Sequence, residues 1–97
     1  MGRISTEISL KDAIGKFLKD FHLEEKLAET RLVGSWEKVA GKLIARHTEE
    51  IFVRDKILYI KPDSPALKQE LSYMQSKLLE KLNKAAGAEV IREIRFL

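Results

Sequence analysis

The sequence predicts an α+β domain: a three-stranded sheet with helices packed on one face, in the order α-α-β-β-α-β. Three observations predict it. From Trp36 onward apolar residues fall at Trp36, Val39, Ala40, Leu43 and Ile44, the one-face spacing of a helix, with His47 on the same stripe. From Ile51 the period shortens to two, and Ile51-Phe52-Val53-Arg54 and Ile57-Leu58-Tyr59-Ile60 read as two strands joined at Asp55-Lys56. A second long helical stripe follows, then a last alternating stretch. A helix running directly into a hairpin leaves two apolar faces, and each is removed from water by covering the other.

The 97 residues suffice for one domain, spanning 1–97, with residues 1–8 expected to fray. Hydrophobic residues at 44% and charged ones at 34% describe an ordinary globular chain. Cysteine is absent, which excludes a disulfide scaffold, a thiolate metal site and a thiol nucleophile together. The first residues carry no signal-peptide run, and no stretch approaches the roughly 18 apolar residues of a membrane span, so a cytoplasmic protein with no membrane partner is expected. A net charge of +3 permits a nucleic-acid surface without demanding one.

In chain order, Ser9 with Asp12 three residues on is a capping arrangement for an amphipathic helix over 9–21. Its stripe is Leu10, Ile14, Phe17, Leu18 and Phe21. Such a helix either docks on its own domain or offers Phe17 and Phe21 to a partner's groove. The next helix is expected from about Glu24 to His47, with a kink possible at Gly34-Ser35. Gly34, Gly41 and Ala45 share one face, a row of small residues that would admit a neighbouring backbone.

A two-residue turn at Asp55-Lys56 sets Val53 opposite Leu58, Ile51 opposite Ile60, Phe52 opposite Tyr59 and Arg54 opposite Ile57. Ile51, Val53, Leu58 and Ile60 then point inward, and Phe52, Arg54, Ile57 and Tyr59 outward. That outward face is apolar for a solvated one. The first helix, a partner or stacked bases could cover it, and a plain stabilising cross-strand pair is the simplest reading.

Pro62 stops the strand, Ser64 caps a new helix and Pro65 opens it. The stripe Leu67, Leu71, Met74, Leu78, Leu82 and Ala85 runs unbroken to Gly87, which closes the helix. Trp36, Leu71 and Met74 are expected in one core. Lys77, Lys81 and Lys84 line a solvated edge. Residues 89–96 alternate as a strand, with Val90, Arg92, Ile94 and Phe96 on one face and Ile91, Glu93 and Arg95 on the other.

Chemistry is conspicuous by its absence. There is no phosphate-cradling GxxxxGK[ST] and no HExxH, His22 and His47 lie far apart, and no spacing singles out a nucleophile. No catalytic, cofactor-binding or metal-binding residue is assigned, no cofactor or small-molecule substrate is expected, and the chain is read as a non-enzyme.

The ordered set SWEKVAGKLIARHT, IFVRDKILYIKPDSPALKQEL and KLNKAAGAEVIREIRF resembles the bacterial DciA-like family, in a short form. The residues carrying the resemblance include Trp36, Gly41, His47, Thr48, Ser64, Gln69, Glu70, Leu71, Asn83, Gly87, Val90, Ile94, Arg95 and Phe96. The resemblance implies a KH-like fold and a role in assisting or loading the DnaB-type replicative helicase, with affinity for DNA. The alternative is a KH-like RNA-binding or protein-interaction module with no helicase role. The GxxG clamp of KH modules is absent at both Gly34 and Gly41. Weak binding to single-stranded DNA or RNA is therefore expected, with Phe52 and Tyr59 stacking bases while Arg54, Lys56, Lys61 and Arg95 meet phosphates.

Overall fold

The computed structural model describes the backbone of residues 2–20 and 23–97, and the side chains of those from Ser9 onward. Its elements are helices α1 (Gly2–Asp20), α2 (Leu23–Gly34), α3 (Trp36–Ala40) and α4 (Lys42–Arg46), strands β1 (Thr48–Arg54) and β2 (Ile57–Pro62), helices α5 (Pro65–Tyr73) and α6 (Gln75–Ala86), and strand β3 (Glu93–Phe96). This is the expected α+β, KH-like arrangement. The sheet order is β1-β2-β3; β1 and β2 are antiparallel and β3 joins β2 in parallel across the α5–α6 connection.

The hairpin has the register that its alternation dictates: Ile51↔Ile60, Phe52↔Tyr59, Val53↔Leu58 and Arg54↔Ile57. Asp55 and Lys56 both adopt positive φ, 53° and 63°, as the tight hairpin turn requires. Strand β1 begins at Thr48, earlier than the alternation suggests, because a bulge at Glu49 restores the phase. Pro62 is the last residue of β2, opposite Thr48.

The core lies on one face of the sheet. Leu58, Ile60 and Ile94 meet Leu32 and Trp36 from α2 and α3, and Leu71, Leu78, Leu82 and Ala86 from α5 and α6. The Trp36 indole N–H donates to Thr48 Oγ1 at 3.0 Å, and that hydroxyl donates to the Ile44 carbonyl at 2.7 Å. The one polar atom of the buried ring is thereby satisfied.

Four expectations are corrected. The expected helix 24–47 is three helices: it breaks at Ser35, where the sequence allows a kink, and again at Gly41, which takes φ 98° and ψ 159°, a conformation essentially reserved for glycine. The glycine row admits no backbone: a Cβ at Gly34 or Gly41 would meet nothing within 4 Å. The later helix is interrupted at Met74, which as the joint is exposed and absent from the Trp36 core; Ala86, not Ala85, is the last buried residue of its stripe. Residues 89–92 are not strand. The Asn83 carboxamide clasps them, accepting from the Val90 and Ile91 N–H groups and donating to the Ile91 carbonyl, so Ile91 is fully buried instead of outward.

Two further details differ. Helix α1 starts at Gly2 and carries Ser9 in its interior, since no proline or internal glycine stops the segment before it. His47, on the apolar stripe, is exposed where that stripe would bury it; it is instead the C-cap of α4, as its place at a helix end suggests, and its Nδ1 lies 2.7 Å from Asp63, tying the helix end to the end of β2.

Candidate nucleic-acid interface

The sheet face turned away from the core is built by alternation. Side chains pointing outward from β1 include Phe52 and Arg54, from β2 Ile57, Tyr59 and Lys61, and from β3 Glu93 and Arg95. Phe52 and Tyr59 occupy adjacent strands in register, and their rings stack with centroids 5.0 Å apart and an interplanar angle of 16°. The Arg54 guanidinium lies over the Phe52 ring, 5.9 Å from its centroid. Across β2 the next row places Arg95 beside Tyr59. Helix α1 leans on α2, and no described α1 residue lines the hollows beside Phe52. The rings are half-buried, by each other and by their neighbours on the sheet.

The cations around this face differ in company. Arg95 Nε donates to Glu93 Oε2 at 2.6 Å. That hydrogen bond, with the attraction between the two opposite charges, holds the Glu93 carboxyl below its ordinary range and the Arg95 guanidinium above its own. The carboxylate therefore gives up its charge, and the pair with it, at a lower pH than a glutamate without such a partner. Lys61 Nζ lies 3.5 Å from Glu49 Oε2, the carboxylate that the bulge turns toward it. Arg54 and Lys56 sit at the hairpin tip, with no carboxylate within ion-pair distance among the described residues.

The structure thus gathers Phe52, Arg54, Tyr59, Lys61 and Arg95 on one face, with Lys56 at its end in the turn. Phe17 lies elsewhere, half-exposed on α1 with Leu10 and Ile14, and Phe21 falls outside the described residues. One cation escaped the sequence reading. Arg92 was expected on a strand face with Val90, yet its backbone N–H donates to the Lys56 carbonyl at 2.7 Å, which sets it beside the hairpin tip. The Asn83 clasp that moves it there leaves no periodic trace in the sequence.

Among the described residues no group of three metal-ligating side chains comes together, and no described helix is long and apolar enough to cross a membrane.

Comparison with known proteins identifies the domain. The family described as "Dna[CI] antecedent, DciA" matches residues 9–96. A UPF0232 protein of Rhodococcus jostii is 37% identical over 70 residues, covering 72% of this chain and 37% of the relative. One from Mycobacterium tuberculosis is 33% identical over 70 residues, with the same shares of 72% and 37%. One from Corynebacterium glutamicum is 30% identical over 87 residues, covering 90% of this chain and 49% of the relative. The chain therefore spans half or less of the length of these curated relatives. With its profile matched from the first helix to the last strand, the chain belongs to the DciA family.

Proposed function

We propose that this domain is a non-catalytic, nucleic-acid-associated adaptor that assists or loads a DnaB-type replicative helicase. The observation that carries this reading is the family match over residues 9–96. The outer sheet face supports the nucleic-acid part: a stacked aromatic pair with Arg54 over Phe52 and Lys56 at the hairpin tip offers π-surface to unpaired bases and positive charge to their backbone. Without a GxxG clamp the contact is weak and indifferent to sequence. The sequence carries no phosphate-cradling GxxxxGK[ST], so in this reading hydrolysis stays with the helicase and the adaptor acts by contact. Helix α1, with Leu10, Ile14 and Phe17 half-exposed and Phe21 beyond, is the segment offered to the protein partner.

The second reading is a protein-interaction module with no affinity for nucleic acid. Its support is specific: Glu49 and Glu93 neutralise two of the cations that border the stacked pair. The test takes the DnaB-type helicase of the same organism, purified, and a labelled single-stranded oligonucleotide, each titrated with the domain. The adaptor reading expects a stable complex with the helicase and salt-sensitive oligonucleotide binding. Helicase binding alone selects the interaction module, and neither overturns both readings.

A further inference from the structure

We propose that a bound single strand runs from the stacked pair toward the hairpin tip, and that Arg92 is a phosphate-binding residue there alongside Arg54 and Lys56. The inference rests on the nucleic-acid reading of the outer face and adds to it a direction and a residue.

The charges decide the direction. A phosphate approaching Lys61 or Arg95 must compete with a carboxylate already in place, 3.5 Å away in one case and 2.6 Å in the other. Displacing it costs a hydrogen bond to a charged group, which is worth more than a neutral one. At the tip no such exchange is needed. Among the described residues no carboxylate lies within ion-pair distance of Arg54, Lys56 or Arg92. These three come from the end of β1, the hairpin turn and the segment that precedes β3, brought together by the bond from Arg92 N–H to the Lys56 carbonyl. Arg54 links them to the aromatic pair, because its guanidinium already lies over Phe52, where a base would stack.

The far wall of the same hollow supplies the boundary. Glu25 and Glu29 of α2 face the tip across it, outnumbering the Lys26 between them, and Asp55 occupies the turn. Their charge keeps a polyanion on the hairpin side of the hollow and out of its floor. The path is therefore a short track of three cations leading off the rings.

The test is fluorescence anisotropy of a labelled oligothymidylate with the full chain and with Arg92→Ala, Lys56→Ala, Lys61→Ala and Arg95→Ala, each at low and moderate salt. All four side chains are exposed, and circular dichroism verifies the fold. Three phosphate contacts on a single strand give a salt slope of about −2, a loss of about 20-fold in affinity between about 50 and 200 mM salt. Arg92→Ala and Lys56→Ala each lower affinity and reduce that loss to about 7-fold, as for two contacts. Arg92→Lys, which keeps the charge, restores the slope. Lys61→Ala and Arg95→Ala leave the slope unchanged. If Lys61→Ala or Arg95→Ala flattens the slope and Arg92→Ala does not, the strand runs the other way and the proposal is overturned while the nucleic-acid reading survives. If the unmodified chain does not bind at low salt, that reading fails and the track fails with it.

Discussion

Asn83 shows how one side chain redirects a segment. Its Oδ1 accepts from the N–H groups of Val90 and Ile91 at 2.9 and 3.0 Å, and its Nδ2 donates to the Ile91 carbonyl at 2.9 Å. Three backbone groups next to a fully buried Ile91 are thus satisfied by one carboxamide. Asn83→Ala leaves the Ile91 N–H and carbonyl without a protein partner, while the Val90 N–H keeps the Ala88 carbonyl at 3.0 Å, and a destabilisation of about 2–3 kcal/mol is expected in urea denaturation. Asn83→Asp keeps the acceptor and loses the donor, so its cost is smaller; equal losses for the two would show that the clasp contributes through packing alone. The same residue marks a limit of reading by periodicity. Val90, Ile94 and Phe96 do alternate, but Ile91 is buried by a side-chain clasp that obeys no period. Arg92 was misplaced with it. Phe52 and Tyr59 were legible as an opposed pair because a two-residue turn leaves the register no freedom. Their mutual stacking and the carboxylates beside Lys61 and Arg95 depend on rotamers and on a bulge, which the sequence does not display.

At the scale of elements, the chain hides its helix breaks. Across Gly41 the stripe of Trp36, Val39, Ala40 and Ile44 still reaches the core, and across Met74 so do Leu71 and Leu78. A period survives a break when both halves bury the same face, so apolar spacing cannot separate one long helix from several short ones. Backbone conformation separates the two glycines that spacing treated alike. Gly41, at φ 98°, occupies a region closed to a residue with a Cβ, whereas Gly34 is the last residue of α2 with φ negative. Neither site is crowded. Gly41→Ala is therefore expected to destabilise by about 1–3 kcal/mol through strain alone. Gly34→Ala is expected to be neutral, or stabilising by up to about 1 kcal/mol through lost chain entropy in the unfolded state. Thermal denaturation of the two variants side by side checks this, and a lower midpoint for Gly34→Ala than for Gly41→Ala would reverse the assignment of the break.

The whole molecule is elongated, with principal extents of 62 × 25 × 21 Å. Among the described residues every buried core side chain lies at Ala28 or later, so α1 contributes none. Leu10 and Ile14 are more than half exposed along it. An isolated helix of this length is marginal in water, and an apolar stripe of this kind normally gains stability by covering another surface. The fold and the protein contact are therefore separable in this chain. A variant beginning at Leu23 is expected to keep the cooperative unfolding transition of the full chain, with a midpoint within a few degrees, since the sheet and its helix layer are intact. It is also expected to keep the oligonucleotide affinity, because the ring pair and the tip cations lie outside α1. Helicase binding, in contrast, should be lost with α1. Calorimetry of the truncated and full chains against the purified helicase decides the matter: undiminished affinity in the truncated form would move the protein contact from α1 onto the domain itself, and a collapsed unfolding transition would show that α1 supports the core after all.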